Sequence, residues 1–146
     1  MALKYDPDMT KFASEIQVNE VNLDECALNQ ASLLSYYLSQ KVSAETQLNL
    51  VKLKFERFYN QRYKQIEAEL VLKEKRVTDK SIEAEIKLGD DYLQEYVNLV
   101  EAQRIRDQLQ ACCTALVDRK KIIQQLLDAR LVQAGGSVAL NSRKSF

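Results

Sequence analysis

The chain has 146 residues, the length of one domain, and no apolar run in it approaches the roughly 18 residues that a bilayer span requires. Twenty-one basic side chains balance 21 acidic ones, and histidine is absent, which removes the usual general base and the commonest metal ligand. The opening MALKYDPDMTKF lacks the apolar core of a signal peptide, so a soluble, cytoplasmic protein with no membrane partner is expected.

Helix breakers are scarce: the chain has 3 glycines and 1 proline, and positions 8–88 and 90–134 contain neither. Such stretches leave little besides long helices. Residues 1–21 form an N-terminal segment, flexible or with a short helix over Thr10 to Val18 that offers Phe12, Ile16 and Val18 as contacts. Asn22 supplies an N-cap, and Asp24 and Glu25 stand where the helix dipole favours acids.

A long helix over 22–76 follows, with apolar positions at helical spacing through Leu48, Val51, Phe55 and Phe58 and onward to Ile66 and Leu70. The serines and threonine between 40 and 46 leave a break there open. Val77-Thr78-Asp79 reads as a stop and restart, with Thr78 capping a short helix over 78–88. Gly89 suits a left-handed C′ position and Asp90 a cap for the next helix. That last helix covers 90–133, with Leu93, Val100, Ile105, Leu109, Leu116, Ile123 and Leu131 on its stripe. Leu99, Val117, Ile122 and Leu126 are apolar in addition. Ala134-Gly135-Gly136 ends it, and 135–146 reads as a flexible, weakly basic tail.

The expected fold is therefore all-α: an elongated antiparallel helical hairpin over 22–134, with a short connecting helix. A helix apolar around more than one stripe has more than one neighbour. The hairpin is thus expected to assemble into an oligomeric helical bundle or ring.

No catalytic constellation is visible. The chain lacks a P-loop, a glycine-rich phosphate cradle, HExxH and a nucleophile elbow. Cys26, Cys112 and Cys113 have no zinc-ligand spacing and read as small apolar residues on packed helices. A non-enzyme without metal or cofactor is expected.

Charge is segregated along the chain. Residues 41–64 carry six basic and two acidic side chains, whereas 65–101 carry five basic and ten acidic. Within VKLKFERFYNQRYK (51–64), Lys52, Lys54, Arg57, Arg62 and Lys64 alternate with Phe55, Phe58, Tyr59 and Tyr63. Cations neutralise phosphates and aromatic faces stack bases, the combination used for single-stranded nucleic acid. Phe55 and Phe58 belong to the seam, so Tyr59 and Tyr63 are the candidates for contact. A second basic cluster on the last helix comprises Arg119, Lys120 and Lys121, with Arg104, Arg106 and Arg130.

This ordering resembles the UvsY-like phage recombination mediators over roughly residues 30–134. The likeness lies in the Leu/Tyr-rich Leu33 to Leu38, the Lys/Arg-aromatic Lys52 to Tyr59, the acidic connector VTDKSIEAEIKLGDDY, and the final helix from Leu109 to Leu131. The resemblance implies a homo-oligomer, hexameric or heptameric, in the host-cell cytoplasm. It implies single-stranded DNA as ligand, and a RecA-like recombinase and a single-strand-binding protein as partners. The function implied is loading the recombinase in place of that binding protein. Lys52, Lys54 and Arg57, with Arg62 and Lys64, match the family's DNA-binding stretch, and Leu109, Leu116, Ile123, Leu126 and Leu127 its assembly helix. The alternative is a structural coiled-coil adaptor or prefoldin-like chaperone or virion component without nucleic-acid binding.

Overall fold

A computed structural model describes residues 3–143, with side chains described through 135. It is all-helical among those residues: α1 (Phe12–Glu15), α2 (Leu23–Leu72), α3 (Asp79–Leu88) and α4 (Asp90–Arg143), the long helices packed against each other. No helix among the described residues is long and apolar enough to cross a membrane.

The local chemistry explains where these helices begin and end. The Asn22 carbonyl accepts from the Cys26 N–H, while its side chain is engaged behind it, accepting from Asn19 N–H and donating to the Gln17 carbonyl. α2 then runs unbroken through 40–46. Thr46 donates its hydroxyl to the Val42 carbonyl one turn back, which satisfies the group without opening the helix.

The expected end at 76 is corrected to Leu72. Glu74 adopts φ 53°, its N–H donates to the Val71 carbonyl, and Lys75 N–H reaches the Leu70 carbonyl at 3.1 Å. That pair of bonds is a Schellman closure, built here on glutamate in place of the usual glycine.

Thr78 caps α3 through a reciprocal box with Ser81. Gly89 is extended (φ −75°, ψ 140°), not left-handed as expected, and its carbonyl accepts from Leu93 N–H. It thus serves as the single joint between two helices, and Asp90 lies inside the first turn of α4. α4 does not stop at 133; it continues through Gly135 and Gly136 to Arg143. Glycine weakens a helix by about 1 kcal/mol relative to alanine but does not forbid it. The remainder of the expected tail, 144–146, lies outside the described residues.

The chain divides into two units, and α2 and α4 contribute a segment to each. The first comprises Met1–Pro7 with Lys41–Gln108. Its segments of α2 and α4 run antiparallel, as Lys54–Glu95 and Arg62–Asp91 show. Ile82 and Ile86, four apart on α3, bury against Ile66, with Tyr59, Tyr63, Leu70 and Tyr92 around them. Phe55 packs its ring near Tyr92 and Tyr96 (5.7 and 6.3 Å between centroids). Gln47 grips the main chain of the N-terminal segment: it accepts from Tyr5 N–H and donates to the Tyr5 carbonyl, both at 2.8 Å.

The second unit comprises Asp8–Gln40 with Leu109–Phe146. Leu23, Cys26 and Ile123 form a cluster joined by Val18, Leu126 and Leu127. Phe12 of α1 meets Tyr37 edge to face at 5.1 Å, and the Tyr37 hydroxyl donates to Glu15. Leu109, Cys112, Cys113 and Leu116 are buried on α4, so all three cysteines are buried thiols. Burial pushes the Cys112 thiol pKa up, away from the reactive thiolate.

Candidate nucleic-acid interface

The basic-aromatic stretch lies wholly on α2 within the first unit. One side of this segment is committed to packing, through Leu48, Ile66 and the half-buried Phe55 and Tyr59. Successive residues turn by about 100°, so Arg57 and Lys64, seven apart, project along one line away from that side. Both are exposed, as is Lys52 on the flank, and none of the three makes an ion pair among the described residues.

The other expected contacts are engaged inside the chain. Lys54 lies 3.4 Å from Glu95. Arg62 lies 3.4 Å from Asp91 and donates to Gln65 at 3.0 Å. Tyr59 packs on the Ile66–Ile82–Ile86 cluster, and burial raises its pKa. The Tyr63 hydroxyl donates to Asp79 at the start of α3, an acceptor that pushes the phenol up to about 12. Tyr59 and Tyr63, expected to stack bases, thus spend part of their surface on contacts within the chain. Both sit on the seam because they fall seven and three residues before Ile66, the same side of the helix.

The structure groups Arg57 and Lys64 with two residues that sequence reasoning left unassigned. Leu50 and Leu53 are 63% and 52% exposed. They precede Arg57 by seven and four positions, a helical spacing that places them on the same outward line. This outer face is thus apolar toward its N-terminal end and basic toward its C-terminal end.

The expected assembly residues also find partners within the chain. Leu109 and Leu116 are completely buried and Ile123 nearly so, while Leu126 and Leu127 lie against the Leu23–Cys26–Ile123 cluster. Ile123, Leu126 and Leu127 thus meet the α2 segment of the second unit through Leu23 and Cys26. Among the additional apolar residues, Val117 and Ile122 do remain exposed.

The second basic cluster is largely neutralised. Arg104 pairs with Glu101, Arg106 with Asp107, Lys121 with Asp118 and Arg130 with Asp24. Arg119 is buried. No group of histidine, cysteine, aspartate or glutamate among the described residues could hold a metal ion.

Compared with family models, curated proteins and solved structures, the chain matches none.

Proposed function

We propose that this chain is a non-enzymatic mediator that binds single-stranded DNA through Arg57 and Lys64 on the outer face of α2 and Lys52 on its flank, assembles as an oligomeric bundle or ring, and loads a RecA-like recombinase in place of a single-strand-binding protein. One observation carries the DNA-binding part: Lys52, Arg57 and Lys64 stand exposed with no carboxylate partner among the described residues. Cations with no internal partner are free to replace counterions on a phosphate backbone. The aromatic residues face inward, so contact is made to phosphates rather than by stacking. Repeating the patch across copies raises avidity without new contacts. The mediator role itself rests on the resemblance to UvsY-like proteins.

The test is fluorescence anisotropy of a labelled oligonucleotide across a salt series. Each phosphate contact to a single strand contributes roughly 0.7 to the slope of log affinity against log salt. Replacing Lys52, Arg57 and Lys64 by glutamine should flatten the slope by about 2. Lys54→Gln with Arg62→Gln should change it far less, since those charges are already neutralised. Unchanged binding in the triple variant removes this face as the site.

The adaptor reading keeps one observation in its favour, the inward commitment of Tyr59 and Tyr63. It predicts the same assembly with no salt-dependent DNA binding.

A further inference from the structure

In the first unit, α4 turns one side to the core through Ala102 and Ile105, both buried, and through Glu95, which pairs with Lys54. Away from that side lie Leu93, Tyr96, Val97 and Val100, exposed by 59, 45, 46 and 50%, with Tyr96 at the edge, where its ring also nears Phe55 of α2. Their spacing of three, one and three residues makes a single apolar stripe over about two turns. Scattered exposed apolar residues need no explanation, but a contiguous stripe on a helix marks a contact surface.

The charges at its ends identify the occupant. Asp90 stands three residues before Leu93, and Arg104 four residues after Val100. Fourteen residues amount to nearly four turns, so both charges lie on the line of the stripe, about 21 Å apart. Asp90 is exposed and makes no ion pair among the described residues. Arg104 is exposed too, held at 2.6 Å by Glu101 on its own helix.

This arrangement is nearly palindromic. A two-fold axis crossing the helix between Tyr96 and Val97 brings Leu93 opposite Val100 of a second α4, and sets Asp90 opposite Gln103, one residue short of Arg104, at both ends at once. Such self-complementarity is what an isologous interface requires. Each Glu101 flanks the contact with its charge already met by Arg104, and Asp107 lies beyond the paired turns, where it accepts from Gln103.

We infer that this stripe is the surface through which two copies of the chain associate, antiparallel along α4, with Asp90 of each copy meeting Arg104 of the other. The inference gives the oligomeric part of the proposed function a specific interface. It places that interface away from the basic line of α2, so association and DNA binding engage different helices.

The experiment is analytical ultracentrifugation of the full chain from low micromolar to submillimolar concentration, with helix content and melting followed in parallel. Wild-type protein should show a reversible step to an even-numbered assembly. Val97→Asp places two carboxylates on the two-fold axis, and its dissociation constant should rise about tenfold or more while helix content holds. Asp90→Arg and Arg104→Asp should each weaken association, and the double variant should restore it. That rescue is one a change in helix stability alone would not produce. A wild-type chain that stays monomeric overturns both this inference and the oligomeric reading. An assembly unmoved by Val97→Asp, or a charge swap that fails to rescue, overturns this interface and leaves the oligomeric reading standing.

Discussion

Arg119 on α4 donates from Nη1 to Oε1 of Gln30 on α2 at 2.5 Å, with both side chains buried, 2% and 8% exposed. Gln30 in turn donates to the Leu116 carbonyl at 2.7 Å, and Arg119 reaches Asn29 at 3.2 Å. Every one of these partners is neutral, and the guanidinium Nε has none among the described residues. The second unit thus holds the arginine's positive charge among amides.

Such a charge costs several kcal/mol to desolvate, and the amide partners offset part of it. Gln30→Ala should destabilise the fold by about 2 kcal/mol, because it strands a buried donor. Replacing the pair together, as Arg119→Met with Gln30→Met, should be neutral or stabilising by roughly 1–4 kcal/mol. Urea denaturation decides between these signs. A silent Gln30→Ala would mean that the amide does not hold the charge.

Glu74 offers a stabilising change. A non-glycine residue at positive φ carries a penalty of about 1–2 kcal/mol, and the Schellman closure at the end of α2 imposes that conformation. Glu74→Gly should therefore raise stability by several tenths to about 1 kcal/mol, after allowance for glycine's greater unfolded-state entropy. Thermal denaturation measures it. A lower melting temperature would show that the glutamate side chain contributes more than its backbone costs.

Tyr63 predicts an alkaline limit. Its hydrogen bond to Asp79 raises the folded pKa from 10.0 to about 12, so the folded state favours the protonated phenol. A group with a raised folded pKa contributes stability that is fully present below its unfolded pKa and lost as pH rises through the folded one. Burial and Glu15 act in the same direction on Tyr37. The denaturation midpoint should begin to fall near pH 10 and continue falling to 12, less steeply in Tyr63→Phe. Identical alkaline profiles for wild type and Tyr63→Phe would contradict the assignment.

The long helices and the Thr78-capped α3 were legible because their causes are local: no glycine or proline in the long runs, and a capping residue at the restart. The inward side of Tyr59 and Tyr63 was legible too, from their spacing to Ile66, but the interleaved cations drew the reading toward contact. Pairings across sequence were not legible. Glu95 and Asp91 neutralise Lys54 and Arg62 from another helix, and no periodicity within 51–64 encodes that. The end of α2 escaped for a similar reason, since Glu74 adopts a backbone state ordinarily signalled by glycine. On α4, one apolar pattern contains both the buried Leu109 and Leu116 and the exposed Leu93 and Val100. Only the packed neighbour separates them.

The grip of Gln47 on Tyr5 has a consequence for how the N-terminal segment tolerates change. A side-chain amide that pairs with both the N–H and the carbonyl of one residue reads the peptide group and ignores what it carries. For these two bonds, nineteen of the twenty amino acids are equivalent at position 5. Proline alone lacks the N–H and would undo half of the clamp. The reciprocal position has no such freedom, because among the standard side chains only glutamine and the shorter asparagine present a donor and an acceptor on one amide.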